Sequence, residues 1–475
     1  MELVLPILNV GAIVPQLIVL GTAVIVLLLD LVWSNKKGVG LIALAGVVAA
    51  GAVAVITLPA AGGAVQAFQN MAVADRIANV LILIVAAGAA LAILMSLDYT
   101  VRLGLPCGEY YGLLLLAAAG MMFLGAATHL MTIFLSVEIL SISLYALAGL
   151  NRQEPRSGES ALKYFLLGGV ASAFLLYGMA LVYGATGVTS LAGIRAELAA
   201  TARGLSANPM YLIGMGLMIV GFGFKIAAVP FHMWTPDVYQ GAPTSVTAFM
   251  AAGAKAAGFI ALLRLLAGAF PRSEWGLPVA ILAALTMTWG NLAALRQGNV
   301  KRMLAYSSIA HAGYLLVGVC AGDERAILFY LAAYTLMTVG AFAVLAGLER
   351  AGADAGGLTL DSLRGQFKRR PALAAAMTIF MLSLAGIPPL AGFLGKLYVF
   401  SAAIRANLAW LAFFGVINSV ISAYYYLRVV GRMAQDEPAG ETADPRGVGL
   451  SIGVALAAIG VVVIGLWPAP LLGLL

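Results

Sequence analysis

The sequence predicts an all-α polytopic membrane protein with about fourteen transmembrane helices, and three observations carry that reading. Of 475 residues, 62% are hydrophobic and only 10% charged, whereas a soluble domain carries roughly 25% charged residues. Apolar runs long enough to span a bilayer core recur along the whole chain. Charges and helix breakers gather in the connections between those runs.

The runs fall near 12–33, 39–58, 77–97, 111–127, 130–150, 160–184, 209–233, 243–268, 277–296, 303–320, 325–348, 372–402, 408–429 and 448–467. The first is too long for a signal-peptide core and ends in Asn35-Lys36-Lys37 with no small-residue cleavage site, so it reads as a retained helix. The clearest loops are Asn151 to Arg156, Arg296 to Arg302 and Glu349 to Arg370, which follow spans 5, 9 and 11. Loops after odd spans hold 16 lysines and arginines, against 7 on the other side. The positive-inside rule then places odd-span exits in the cytoplasm and both termini outside. The same loop bias accounts for the formal charge of +7. No basic stretch is interleaved with exposed aromatic residues, so a nucleic-acid partner is not expected.

Cys107 and Cys320 stand alone, without CxxC or a neighbouring histidine, and support neither a disulfide framework nor an iron-sulfur or zinc site. No Gly-rich phosphate loop occurs in a strand-to-helix context. The chain is therefore expected to hold no cofactor or metal of its own, and to be a membrane module of a larger assembly or a transporter in its own right. A short internal repeat agrees with transport. Gly221-Phe-Gly-Phe-Lys225 resembles Gly392-Phe-Leu-Gly-Lys396, and each lysine lies beside a proline break, at Pro230 and at Pro388-Pro389. Five span steps separate the two lysines, which inverts the second copy. Interrupted helices in inverted repeats build sites near the bilayer midplane in many transporters.

Four lysines lie inside spans. Lys225, Lys255 and Lys396 sit among Ala, Gly, Phe and Leu, and Lys163 is near the start of span 6, where snorkelling to the interface is the competing reading. Glu138, near the centre of span 5, is the only acidic residue at mid-membrane depth, and such a charge must face the protein interior, as part of a structural ion pair, as a protonated carboxyl or as a functional group. Removal from water favours a lysine's neutral amine, and an anionic partner favours the ammonium. At roughly 7 Å and an effective dielectric near 20, one opposite charge is worth about 2.4 kcal/mol. A change in the Glu138–Lys225 separation is thus expected to load or unload a proton. His311, following Tyr306-Ser-Ser308 on span 10, reads as a proton relay or a packing histidine. His129 and His232 read as interfacial, and Asp237 as a cap or loop holder between spans 7 and 8.

At these residues the segment from Phe224 to Phe249, containing Pro236-Asp-Val-Tyr-Gln-Gly-Ala-Pro243, strongly resembles the subunit N family of respiratory complex I, the bacterial NADH:quinone oxidoreductase. The resemblance continues through Lys255-Ala-Ala-Gly258, Lys301 to Tyr314 and Ser383 to Lys396. It implies two inverted five-helix bundles with broken helices 7 and 12. The division would be 1–110 for spans 1–3, 111–268 and 269–433 for the two antiporter-like halves, and 434–475 for a loop and the last span. It also implies a central hydrophilic axis: Glu138 and Lys225 as a coupled pair, Lys163 on span 6, Lys255 as connecting site, and Lys396 as terminal site. Partners would be the other membrane subunits of the complex and, through them, a peripheral arm holding FMN and iron-sulfur clusters and reducing quinone. A subunit of a multi-subunit sodium/proton antiporter and a non-translocating membrane scaffold remain as the other readings.

Overall fold

The computed structural model describes residues 8–59, 63–200, 208–349, 358–436 and 447–475. In chain order the α-helices are α1 (Val14–Val32), α2 (Lys36–Ile56), α3 (Arg76–Arg102), α4 (Cys107–Ala126), α5 (Leu130–Ala148), α6 (Pro155–Thr186), α7 (Leu191–Ala200), α8 (Pro209–Ile226), α9 (Trp234–Gly241) and α10 (Thr244–Phe249). They continue as α11 (Lys255–Ala269), α12 (Arg272–Leu295), α13 (Val300–Ala321), α14 (Glu324–Leu348), α15 (Gln366–Arg369), α16 (Pro371–Ala385), α17 (Ala391–Arg405), α18 (Ala409–Ala434), α19 (Val448–Leu466) and α20 (Ala469–Leu474). Among the described residues, 13 helical stretches are long and apolar enough to cross a bilayer, with α10 and α11 forming one of them. The pair α16 and α17 occupies the place of the remaining expected span.

Polar side chains set several helix starts. Asn35, Asp75, Asn208, Asn299 and Asp323 each accept a backbone N–H of the first turn, which satisfies a donor that lipid could not. Two features depart from an uninterrupted run of spanning helices. A two-stranded antiparallel hairpin, Ala64–Ala67 with Ala72–Asp75, fills the connection before α3, and the short α7 lies in the connection after α6. Part of the expected 349–370 loop, and the tail at 437–446, lie outside the described residues.

Burial sorts the helices. The stretch Thr244–Ala269 is wholly buried and α13 and α14 nearly so, while α1, α2, α6 and α19 each keep an exposed side carrying apolar residues such as Leu28, Val48, Val170 and Leu456. A helix apolar on every face is stable in the interior of a bundle, and an apolar outer face suits lipid or a neighbouring membrane chain. Helices α1 to α3 pack beside α4, and α19 packs on α3, α14, α16 and α17. The short helices α9 and α10 pack against α13 and α14 respectively.

Two expected spans are interrupted. Expected span 7 ends as helix at Ile226, where Ala227 turns left-handed (φ 62), and resumes as α9. Expected span 12 ends at Ala385, where Gly386 takes φ 86, and resumes as α17. The breaks lie beside Pro230 and Pro388-Pro389, and prolines cannot continue the hydrogen-bond ladder. A third irregularity, absent from the sequence reading, is a π-helical turn at Met250–Ala254 between α10 and α11.

Candidate functional site

The ending of α8 builds the first part of the site. There the carbonyl of Phe224 accepts from Ala227 N–H at 3.1 Å and from Trp234 Nε1 at 3.0 Å. The Trp234 ring stacks on Tyr164 at 4.4 Å, and Lys225 Nζ lies 5.8 Å from the centre of that same Tyr164 ring. Lys225 is buried and donates to Ser141 Oγ at 2.7 Å. Ser141 in turn donates to the Val137 carbonyl one turn back on α5. Glu138, partly buried on the same helix, accepts from Ser172 Oγ of α6 at 2.5 Å. Lys225 and Glu138 form no direct ion pair; a serine hydroxyl bonds each of them instead. A cavity of about 10 Å³, the scale of one water, is lined by Ser141, Ser172, Tyr145 and Lys225.

Lys255 opens α11 directly after the π-turn and is 2% exposed. Its amine donates at 2.5 Å to both the carbonyl and the Oγ of Ser308, and Tyr334 OH donates to the same Oγ at 2.8 Å. One turn further along α13, His311 is 1% exposed. Its Nδ1 lies 2.7 Å from Tyr330 OH and its Nε2 3.1 Å from Tyr426 OH, which also bonds Ser307. The imidazole thus has a hydroxyl at each nitrogen, and hydroxyls accept or donate as the tautomer requires.

Lys396 follows the second break. Its amine donates to the Ala385 carbonyl that ends α16 at 2.9 Å, and to Ser419 Oγ of α18 at 2.7 Å. The Tyr314 ring lies beneath it at 5.0 Å. A Cβ on Gly386 would sit 2.9 Å from Lys396 Cδ, so glycine there provides both the positive φ and the room for the lysine. Lys225, Lys255 and Lys396 share one feature: among the described residues, each amine is hydrogen-bonded only to neutral oxygens.

Lys163 is placed differently. It is partly exposed and pairs with Glu159 at 2.6 Å and Asp237 at 2.7 Å, and Asp237 also pairs with Arg302 at 2.6 Å. Asp237 does not cap α10, whose N-cap is Pro243; it clamps α9 between α6 and α13. Burial works against the Asp237 carboxylate, but hydrogen bonds from Lys163 and Arg302 outweigh it and hold the carboxyl below its usual range. His129 bonds Thr189 at the start of α5, and His232 lies in the turn after α8. Among the described residues no three His, Cys, Asp or Glu side chains gather as metal ligands.

Sequence reasoning missed Tyr330, Tyr426 and Ser419, which come from other helices and share no spacing with the groups they serve. Ser308 was findable, three residues before His311 on one helical face. Lys301, read as a loop residue, is fully buried at the start of α13. It donates to the Ala242 carbonyl that closes α9 at 2.9 Å and lies 3.9 Å from Glu349.

Residues 127–422 match the family described as NADH:quinone oxidoreductase/Mrp antiporter, transmembrane region. The chain is 49% identical over 473 residues to NADH-quinone oxidoreductase subunit N of Trichlorobacter lovleyi, covering 98% of this chain and 96% of that one. The chain belongs to the NADH-quinone oxidoreductase subunit N family. A solved structure of respiratory complex I from Thermus thermophilus contains a similar subunit, 38% identical, with a TM-score of 0.82 over 97% of this chain and 98% of that one. The fold extends beyond the subunit N family: a chain of the Mrp complex from Dietzia sp. superposes with a TM-score of 0.86 over 98% of this chain and 96% of its own, at 22% identity, a likeness of fold alone.

Proposed function

We propose that this chain is a proton-translocating membrane subunit of an NADH:quinone oxidoreductase. In this reading NADH oxidation and quinone reduction take place in partner subunits, which hold the FMN and iron-sulfur clusters, and this chain contributes one proton path. The observation that carries it is the set of three buried lysines at or beside irregular helix turns, each amine facing neutral oxygens. A fixed structural charge would be matched by a carboxylate. An amine bonded to hydroxyls and carbonyls is stable enough to hold a proton and free enough to release it.

The proposed path has Glu138 and Lys225 as the coupled pair, Lys255, Ser308 and His311 as the connection, and Lys396 as the terminal site. Lys163 acts from the rim, through Asp237. Residues 111–268 and 269–433 are proposed as inverted halves, with both termini on the outer side of the membrane. Inner-membrane vesicles carrying the assembled complex test this. Lys225→Ala, Lys255→Ala and Lys396→Ala should each lower NADH-driven proton pumping at matched complex abundance. Pumping at the parent's rate in all three defeats the reading and leaves a scaffold role, and pumping that requires sodium favours an antiporter.

A further inference from the structure

Asn291, on α12, is a fully buried amide that plays no part in the path above. Its Oδ1 accepts from Tyr425 OH at 2.9 Å, and its Nδ2 donates to Tyr314 OH at 3.0 Å and to the Met287 carbonyl at 2.8 Å. On one side the Tyr425 ring lies 4.4 Å from Tyr426, whose hydroxyl bonds His311. On the other, the Tyr314 ring lies beneath Lys396. Asn291 therefore has a tyrosine hydroxyl bound at each end of its amide: Tyr425, beside the tyrosine that serves His311, and Tyr314, whose ring lies 5.6 Å from His311 and beneath Lys396.

The chemistry of an amide gives this position a direction. A hydroxyl can donate or accept along any chain it joins, but an amide's oxygen only accepts and its nitrogen only donates. Tyr425 is thereby made the donor and Tyr314 the acceptor, which leaves the Tyr314 hydrogen for a further partner. Ser422 lies beside that hydroxyl. Ser422 Oγ donates to the Ser419 carbonyl at 2.6 Å, and Ser419 Oγ accepts from Lys396. Asn418 of α18 holds the amide in place, its Oδ1 lying 3.3 Å from Asn291 Nδ2 and its own Nδ2 donating to Thr288 Oγ1 at 3.1 Å.

We propose that Asn291 is a positioning residue that orients the tyrosine hydroxyls between His311 and Lys396, so that protons pass between those two groups. The inference rests on the proton-translocation reading above. In vesicles at matched complex abundance, Asn291→Leu should lower the initial pumping rate about tenfold, the effect of losing one net hydrogen bond from the transfer step. Asn291→Asp keeps the size and the acceptor, but it donates to Tyr314 only while protonated. Its pumping should approach the parent's at the acid end of the profile and fall increasingly behind as pH rises. Parent-like rates in both variants overturn the proposal, and so does an equal, pH-independent loss in both, which is what a packing defect gives. Lys396→Ala, measured alongside, separates the two levels. If it pumps normally the path through Lys396 is wrong; if it is impaired while Asn291→Leu is normal, only the role of Asn291 falls.

Discussion

Ser172 holds the carboxylate of Glu138 and Ser141 holds the amine of Lys225, so the two groups face a common site without a direct bond between them. A gap of this kind lets a small helix shift change the interaction in either direction, whereas a closed ion pair can only be broken. Lys225→Ala and Glu138→Ala are each predicted to assemble and to pump poorly. Lys225→Arg should also fail, because a guanidinium keeps its proton. A fully active Lys225→Arg complex in the vesicle assay would instead make the residue a fixed charge.

Gly386 and Gly322 make a matched pair for the second lysine. Both have positive φ, 86 and 71, but a Cβ meets Lys396 at Gly386 and nothing within 4 Å at Gly322. Alanine should cost each backbone about 1–2 kcal/mol, read as lowered thermal stability of the detergent-solubilised complex. Only Gly386→Ala should also depress pumping, by displacing the amine from Ser419 and the Ala385 carbonyl. Equal pumping in the two variants would show that the lysine tolerates the intrusion.

His311 has one tyrosine at each nitrogen. Tyr330→Phe and Tyr426→Phe are each predicted to slow pumping by about tenfold or less. Because both act through one imidazole, their effects should not add: the double variant should resemble His311→Ala. Additive losses in a double-mutant cycle would indicate two independent roles.

The clamp at Asp237 has a pH signature. Its carboxyl is held below the ordinary value by Lys163 and Arg302, so its stabilising effect is fully present above about pH 4 and is lost as pH falls through the lowered value. Asp237→Asn should destabilise the complex at neutral pH by about 1 kcal/mol, a modest figure because the partners are partly exposed. The parent and variant should converge under acid conditions. A difference that widens as pH falls would contradict the sign.

The lipid-facing architecture was legible because bilayer thickness imposes a run length that composition alone reveals. Both helix breaks were legible too, since each falls beside prolines named in advance, and the buried lysines announced themselves by the cost of their position. Other features had no such signature. Tyr330, Tyr426 and Asn291 look like ordinary residues of apolar helices until α12, α13, α14 and α18 are packed together. Lys301 sat in a run that read as loop, whereas its amine caps α9 and lies beside Glu349. Asp237 was read for the local task of capping the next helix or holding the loop, whereas its partners are 74 and 65 residues away.

The π-turn at Met250–Ala254 sets the bearing of Lys255. Such a turn fits one residue more than an α-turn does, and each residue of an α-helix carries the chain through about 100°. The amine's aim at Ser308 is therefore fixed by how many residues precede it, independently of which residues they are. Changing side chains in this stretch should leave the aim intact, while relaxing the same residues into a regular α-helix would swing Lys255 by about 100° to another face of the bundle. The lysine's address is written as a count.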